Sequence, residues 1–339
     1  MKLKITFTKR ALKLSAIMVG LWTISFVQDA KSQQVSPFQT GHYLPAFSNI
    51  RDMAKPTSGF FVLWYNYYQT SNSYYNRDGN KVDKVSLSEI NPNLPDIPFD
   101  VGLNAFATAP AFFWAAKKPV LGGARYMAGI VPVYFSVKSS FNSEVSGSIS
   151  DKLSGFSDLY LTPLTLSWGF EKLDFTFAYG LYTPVGRYET GADDNLGLGF
   201  WTNQFQGFGY FYPVADKSTA LMLGLTYEVN SKIKDEDFKP GNRFSLEYGI
   251  SQYLSEKLEV GVQGGNNWQV SDDKGDDVFW DPSIHDKKGS LAFNAGYWVW
   301  KDRLQLNAKY GFDYGAVQRF KNDILMFNLV FVTNALTGE

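Results

Sequence analysis

Cysteine is absent from the 339 residues, which excludes disulfide staples, thiolate metal sites and thiol catalysis. Histidine is nearly absent, with only His42 and His285. Neither has a serine-containing motif beside it. A hydrolytic barrel needs a histidine held by a positioned partner, so no enzymatic activity is expected. An excess of one charge is missing too: 32 basic against 33 acidic residues leave a net charge of -1 and no footprint for nucleic acid. Beyond Val27 no apolar run approaches the roughly 20 residues that a membrane-crossing helix requires. The acidic pairs Asp193-Asp194, Asp272-Asp273 and Asp276-Asp277 lack a full calcium-ligand spacing and read as solvated loop. No cofactor or metal is expected.

What is present is aromatic: 28 Phe and 20 Tyr, in a chain whose apolar residues alternate with polar ones. In 304–315, Leu304, Leu306, Ala308, Tyr310, Phe312 and Tyr314 fall on one side of an extended chain. Gln305, Asn307, Lys309, Gly311 and Asp313 fall on the other. The run is about as long as a tilted membrane strand of roughly 9–11 residues. It follows 289–300 after only Lys301-Asp302-Arg303, as in the hairpin that a transmembrane barrel repeats. From Gly59 onward, twelve such runs are expected: 59–70, 99–116, 121–138, 156–170, 173–185, 200–214, 218–230, 242–254, 257–270, 289–300, 303–315 and 323–333.

Connectors alternate long and short along that series. The segments 71–98, 139–155, 186–199, 231–241 and 271–288 are long, and the turns between them hold two to four residues. Outer-membrane barrels place long loops outside and short turns in the periplasm, whereas a soluble sandwich has no reason to alternate. Charges keep to the polar parity: Glu228, Glu247, Glu259 and Lys309, with Gln263, are expected in the lumen. Asp158 and Arg125 fit less well, Asp158 sharing a parity with Trp168, and Arg125 with Val133 and Phe135. The inward parity is also rich in glycine, at Gly180, Gly224, Gly249, Gly261, Gly265, Gly296 and Gly311, as though something uses the vacated space. Pro110, Pro132 and Pro163 interrupt three successive strands and mark expected kinks in the wall.

Two segments precede the barrel. Lys2, Lys4, Lys9, Arg10 and Lys13, then apolar Leu14 to Val27, then Ala30 and Ser32, read as a signal peptide over 1–32. Residues 33–58 lack alternation and are expected to form a plug, with His42, Tyr43, Asn49, Arg51 and Asp52 facing the lumen. Asn49, Arg51 and Asp52 are candidates to latch it to Glu259 or Lys309.

The runs GHYLPAFSNIRDMAKPTSGFFVLWYNYYQTSNSYYNRDGNKV, VLGGARYMAGIVPVYF, FSDLYLTPLTLSWGF and PGNRFSLEYGISQYLSEKLEVGVQGGNNWQVSDDKGDD resemble, in that order, the outer-membrane transporters of the MetA-pathway phenol-degradation family. The resemblance implies kinship with channels for long-chain fatty acids and aromatic hydrocarbons, although the chain is shorter than these by a strand pair. It also implies a hatch over Gly41 to Pro56 and a lateral opening near Pro110, Pro132 and Pro163. The expectation is an exported, monomeric, all-β transmembrane antiparallel barrel of about twelve strands, in outer-membrane lipid. It would take up small hydrophobic or aromatic compounds past Phe99, Trp201, Trp280 and Trp298. The alternative is a structural or adhesive barrel with a closed lumen.

Overall fold

The computed structural model describes residues 41–85, 95–192 and 194–333. The expected signal peptide, the start of the plug segment and Asp193 lie outside them. The strands cross as the alternation requires. They are β1 (Gly59–Ser71), β2 (Ile97–Ala115), β3 in two pieces (Arg125–Val131 and Tyr134–Ser143) and β4 in two pieces (Gly147–Phe156 and Leu159–Gly169). β5 (Leu173–Thr183), β6 (Thr202–Phe211), β7 (Thr219–Asn230), β8 (Arg243–Tyr253), β9 (Leu258–Gln269), β10 (Lys287–Trp300), β11 (Leu304–Val317) and β12 (Asp323–Val332) complete the wall. Each is antiparallel to its neighbours. β1 bonds to β2 on one side and β12 on the other, with Leu63 opposite both Ala111 and Val330, so the sheet closes on itself. The twelve-stranded closed barrel contains no helix among the described residues.

Faces follow chemistry. On β7, Leu221, Leu223 and Leu225 are 41%, 54% and 44% exposed, whereas Met222, Thr226 and Glu228 on the opposite parity are 5%, 2% and 1%. The first set faces lipid and the second faces the lumen. The tight turn after β10 works because Asp302 takes φ +59°, a left-handed conformation that aspartate tolerates better than most residues. Gly59 and Val332 both lie at the short-turn end, as an even strand count demands. At the opposite end, the loop end, a small ladder of Tyr74–Tyr75, Lys81–Val82 and Arg319–Phe320 covers Phe99, Val101 and Phe141.

Two expectations need correction. The segment 139–155 is not a loop: β3 runs to Ser143 and β4 begins at Gly147, joined by a three-residue turn. Its Ser-rich alternation was too polar to read as wall. Asp158 does not share the face of Trp168, because β4 shifts register around Pro163 and the shift reverses the parity of the residues from Asp158 to Thr162. Asp158 therefore points inward and is buried. Arg125 also faces inward, and so do Val133 and Phe135: β3 keeps one register against β2 on both sides of its break. Arg125 reaches the turn end, donating to the carbonyls of Ala116 at 2.6 Å and Lys117 at 2.7 Å.

Candidate functional site: the lumen and the broken wall

Residues 41–58 lie against the inner wall, and the lumen's charges converge on them. Lys309 Nζ donates to the carbonyls of Ala46 at 2.7 Å, Ser48 at 2.6 Å and Phe47 at 3.2 Å, and to Gln263 at 3.2 Å. Glu247 accepts from the Tyr43 hydroxyl and from Ala46 N at 2.7 Å, and Glu228 accepts from Tyr43 N at 3.0 Å. The Arg51 guanidinium donates to Glu259 at 2.7 Å, Ser251 at 2.9 Å and the carbonyls of Lys217 and Ser218 at 2.8 and 2.9 Å. A charge buried without a partner is expensive, and here each of these four wall charges meets the segment.

Local chemistry shapes the segment to fit. Asp52 accepts from Asn49 N at 2.7 Å and so closes a turn over 49–52, and Tyr65 on β1 donates to the same carboxylate at 2.7 Å. Asn49 accepts from Asn328 at 2.9 Å. Of the expected latch, Arg51 meets Glu259, whereas Lys309 holds backbone carbonyls and Asp52 serves the turn. The inward glycines divide in purpose. A Cβ on Gly261 would lie 2.5 Å from Ile50, and one on Gly265 would lie 2.6 Å from Pro45, so both admit the segment.

His42 ties the segment to the interrupted side of the wall. Its ring stacks on Tyr182 at 4.4 Å and lies 2.9 Å from Thr202 Oγ1 and 3.1 Å from Asp158. Asp158 sits between the two pieces of β4 and also accepts from Gly186 N at 3.0 Å and Leu198 N at 2.8 Å. One carboxylate thus joins the break, the 184–201 loop and the segment. Sequence reasoning did not pick out Asp158, Tyr182 or Thr202 for a role. The signal available for Asp158 was its apparent place on the wrong face beside Pro163.

The break has a local cause. Ala116 N donates to Tyr126 O at 2.8 Å, which makes 116/126 a hydrogen-bonded pair in the β2–β3 register. Such pairs recur at every second residue, and the series falls on Pro110 opposite Pro132. Neither proline has an N–H, so both bonds of that pair are missing. β3 is interrupted there, and β4 is interrupted beside it at Ser157 and Asp158. Above the interruption, β4 pairs with β3, whereas β5 pairs only with the Leu159–Gly169 piece. The 184–201 loop fills that flank, with Leu196 against Gly155.

The inner wall beside the break is apolar. Tyr65, Tyr67, Ala109, Ala111 and Met326 form a buried cluster with Phe47, Leu63, Phe113, Val131 and Val133 around it. Toward the loop end the Phe99, Val101 and Phe141 cluster continues on β2 and β3. The opposite wall, β7 to β9, carries Glu228, Arg243, Glu247 and Gln263, all buried. The lumen is two-sided, greasy along β1 to β3 and charged across from it. A cavity of about 20 Å³ remains between Phe47, Tyr67, Leu291 and Lys309, room for about one water.

The four expected path residues do not line one passage. Phe99 stacks on Phe141 at 5.3 Å under the small ladder. Trp201 points outward and is exposed, Trp280 is buried in a loop cluster and donates to Asp273 at 2.8 Å, and Trp298 bonds Tyr253 near the short turns. His285 pairs with Asp272 at 2.8 Å on an exposed loop.

The model of the MetA-pathway of phenol degradation family matches residues 71–329. The chain belongs to that family. Among solved structures, the COG4313 outer membrane channel from Pseudomonas putida F1 is similar at 16% identity and TM-score 0.60, covering 86% of this chain and 99% of that one. The transport unit of the autotransporter AIDA-I from Escherichia coli follows at 11% identity and TM-score 0.44, covering 87% and 94%. A Pseudomonas aeruginosa FadL homologue is at 12% and 0.41, covering 88% and 98%. Curated proteins give no significant sequence match. The first of these likenesses establishes the fold of a Gram-negative outer-membrane barrel for this member of the phenol-degradation family, and the other two carry no further argument.

Proposed function

We propose that the chain is an outer-membrane channel for passive uptake of small hydrophobic, including aromatic, compounds, acting as a monomer after export by the signal peptide of 1–32. Residues 41–58 serve as its plug, and the exit is lateral, through the wall at the paired prolines. The observation that carries this reading is the apolar inner stripe of β1 to β3, which runs from the Phe99 cluster to the Pro110–Pro132 pair. An apolar solute moving along that stripe stays out of contact with the charged wall. Where the stripe meets the break, the Pro110–Pro132 pair lacks both of its ladder bonds.

Uptake of a radiolabelled aromatic hydrocarbon into cells lacking the protein tests the proposal. Complementation with the native chain restores uptake. Unchanged uptake with and without the protein refutes it. The hydrogen bonds that hold 41–58 across the lumen favour a second reading, a structural or adhesive barrel with a permanently closed lumen. That reading requires uptake to be indifferent to the protein while the loops retain a surface partner.

A further inference from the structure

The outer surface of the β3–β4 hairpin changes character abruptly along its length. Tyr134 and Phe156 face outward and meet edge to face with centroids 5.4 Å apart. Two residues on, the outward pair is Ser136 and Ser154, then Lys138 and Lys152, then Ser140 and Ser150. That these positions face outward follows from register: Lys138 lies opposite Asn104 on β2, and Asn104 lies opposite outward Thr70 on β1. Hydrocarbon tolerates the aromatic pair and not the hydroxyl and ammonium rows, so the change marks the level where lipid tails give way to headgroups. It lies on the loop-end half of the strands, which in this architecture is the outer leaflet.

Lys138 and Lys152 are both exposed and stand directly opposite each other on neighbouring strands. Like charges in that position repel at a Cβ separation of roughly 4.5–5.5 Å. Among the described residues no acid forms an ion pair with either one, although acids do so with many of the other lysines. An edge strand often carries lysine to discourage pairing with another chain, and β4 is an edge here. That explanation covers Lys152. It does not cover Lys138, whose strand is bonded on both sides.

We propose that the Lys138–Lys152 pair, with its flanking serine hydroxyls, binds the phosphate of a phosphorylated lipid in the outer leaflet. One phosphate between two ammonium groups converts a repulsive pair into two charge-assisted contacts. The serines supply donors to its remaining oxygens, and the acyl chains lie down the wall against Tyr134 and Phe156. The site stands whether or not the lumen conducts. By occupying the outer flank of the interrupted strands, the lipid would hold in place the Gly147–Phe156 stretch of wall, which among the described residues lacks a strand partner on its far side.

The test uses the full chain in mild detergent, titrated with bisphosphorylated lipid A, with dephosphorylated lipid A and with inorganic phosphate. Bound lipid is read by native mass spectrometry. The native chain retains bisphosphorylated lipid A, and K138S/K152S weakens that retention about tenfold or more. Removing the lipid's phosphates has the same effect as removing the lysines, and millimolar inorganic phosphate does not displace the lipid. The single variants K138Q and K152Q, each losing a smaller share, serve if the double variant does not fold. Equal retention by native and variant chains overturns the proposal, as does retention that ignores the phosphates or displacement by inorganic phosphate. If K138S/K152S instead self-associates with its lipid retention unchanged, the lysines are edge guards and the proposal fails.

Discussion

At the scale of single residues, the lumen is organised by side chains that spend their charge on backbone. Lys309 is the clearest case, an ammonium buried in the barrel with its donors on three consecutive carbonyls of 46–48. Replacing it with methionine keeps the stem and removes those charge-assisted bonds, each worth about 1.5–3 kcal/mol. Three carbonyls then stay buried without their donor, and Glu247 loses a nearby positive charge. We expect Lys309→Met to loosen the segment by about 3–5 kcal/mol, the scale for breaking a buried charged contact. Hydrogen exchange at Ala46, whose amide donates to Glu247, should accelerate at least a hundredfold while the amides of β11 stay protected. Unchanged exchange at Ala46 would mean that Arg51 and Glu247 hold the segment without Lys309. Arg51→Ala removes four hydrogen bonds to wall groups, two of them to carbonyls at the β6–β7 turn, so it should raise conductance in planar bilayers several-fold. Conductance equal to the native chain's would remove Arg51 from the latch.

At the scale of strands, the wall fails where two prolines face each other. Pro110→Val with Pro132→Val restores both missing donors of one hydrogen-bonded pair, at about 0.5–1.5 kcal/mol each. The double variant should unfold at higher denaturant concentration and take up its solute at least several-fold more slowly. Greater stability with undiminished uptake would retain the local account of the break and remove the lateral exit. Strand β7 shows why so much of this was legible from residues alone. Outward Leu221, Leu223, Leu225 and Tyr227 alternate with inward Ala220, Met222, Gly224, Thr226 and Glu228, and this period of two is what the two faces of a membrane barrel require. β4 shows why the rest was not. A one-residue register shift beside Pro163 carries no compositional mark, yet it sends Asp158 from the lipid side to the lumen. The β3–β4 hairpin above the tails is polar because it borders headgroups and water, so composition gave it the look of a loop. Tryptophan was equally ambiguous: Trp201 sits on the outer surface and Trp280 in a loop core, and neither placement is written in the residue type.

At the scale of the whole molecule, the barrel's interior holds Glu228, Glu247 and Glu259 against Lys309 and Arg243, and the segment of 41–58 lies among them. Two states satisfy such charges, one with the segment in place and one with water in its stead, and any intermediate leaves some of them bare. Deleting residues 41–56 forces the second state. The wall itself should persist, because its closing pairs between β1 and its two neighbours do not involve the deleted residues. The shortened chain should therefore fold, keep its heat-modifiable mobility in detergent, and form an ohmic pore in planar bilayers where the native chain is nearly silent. It should also lose preference for hydrophobic solutes, since water then reaches the apolar stripe of β1 to β3 and small polar solutes pass as well. A deletion that folds and remains silent would place the closure elsewhere, in the small ladder over Phe99 and Phe141 at the loop end. Substitution of Phe320, which packs on that cluster, would then be the change that opens the pore.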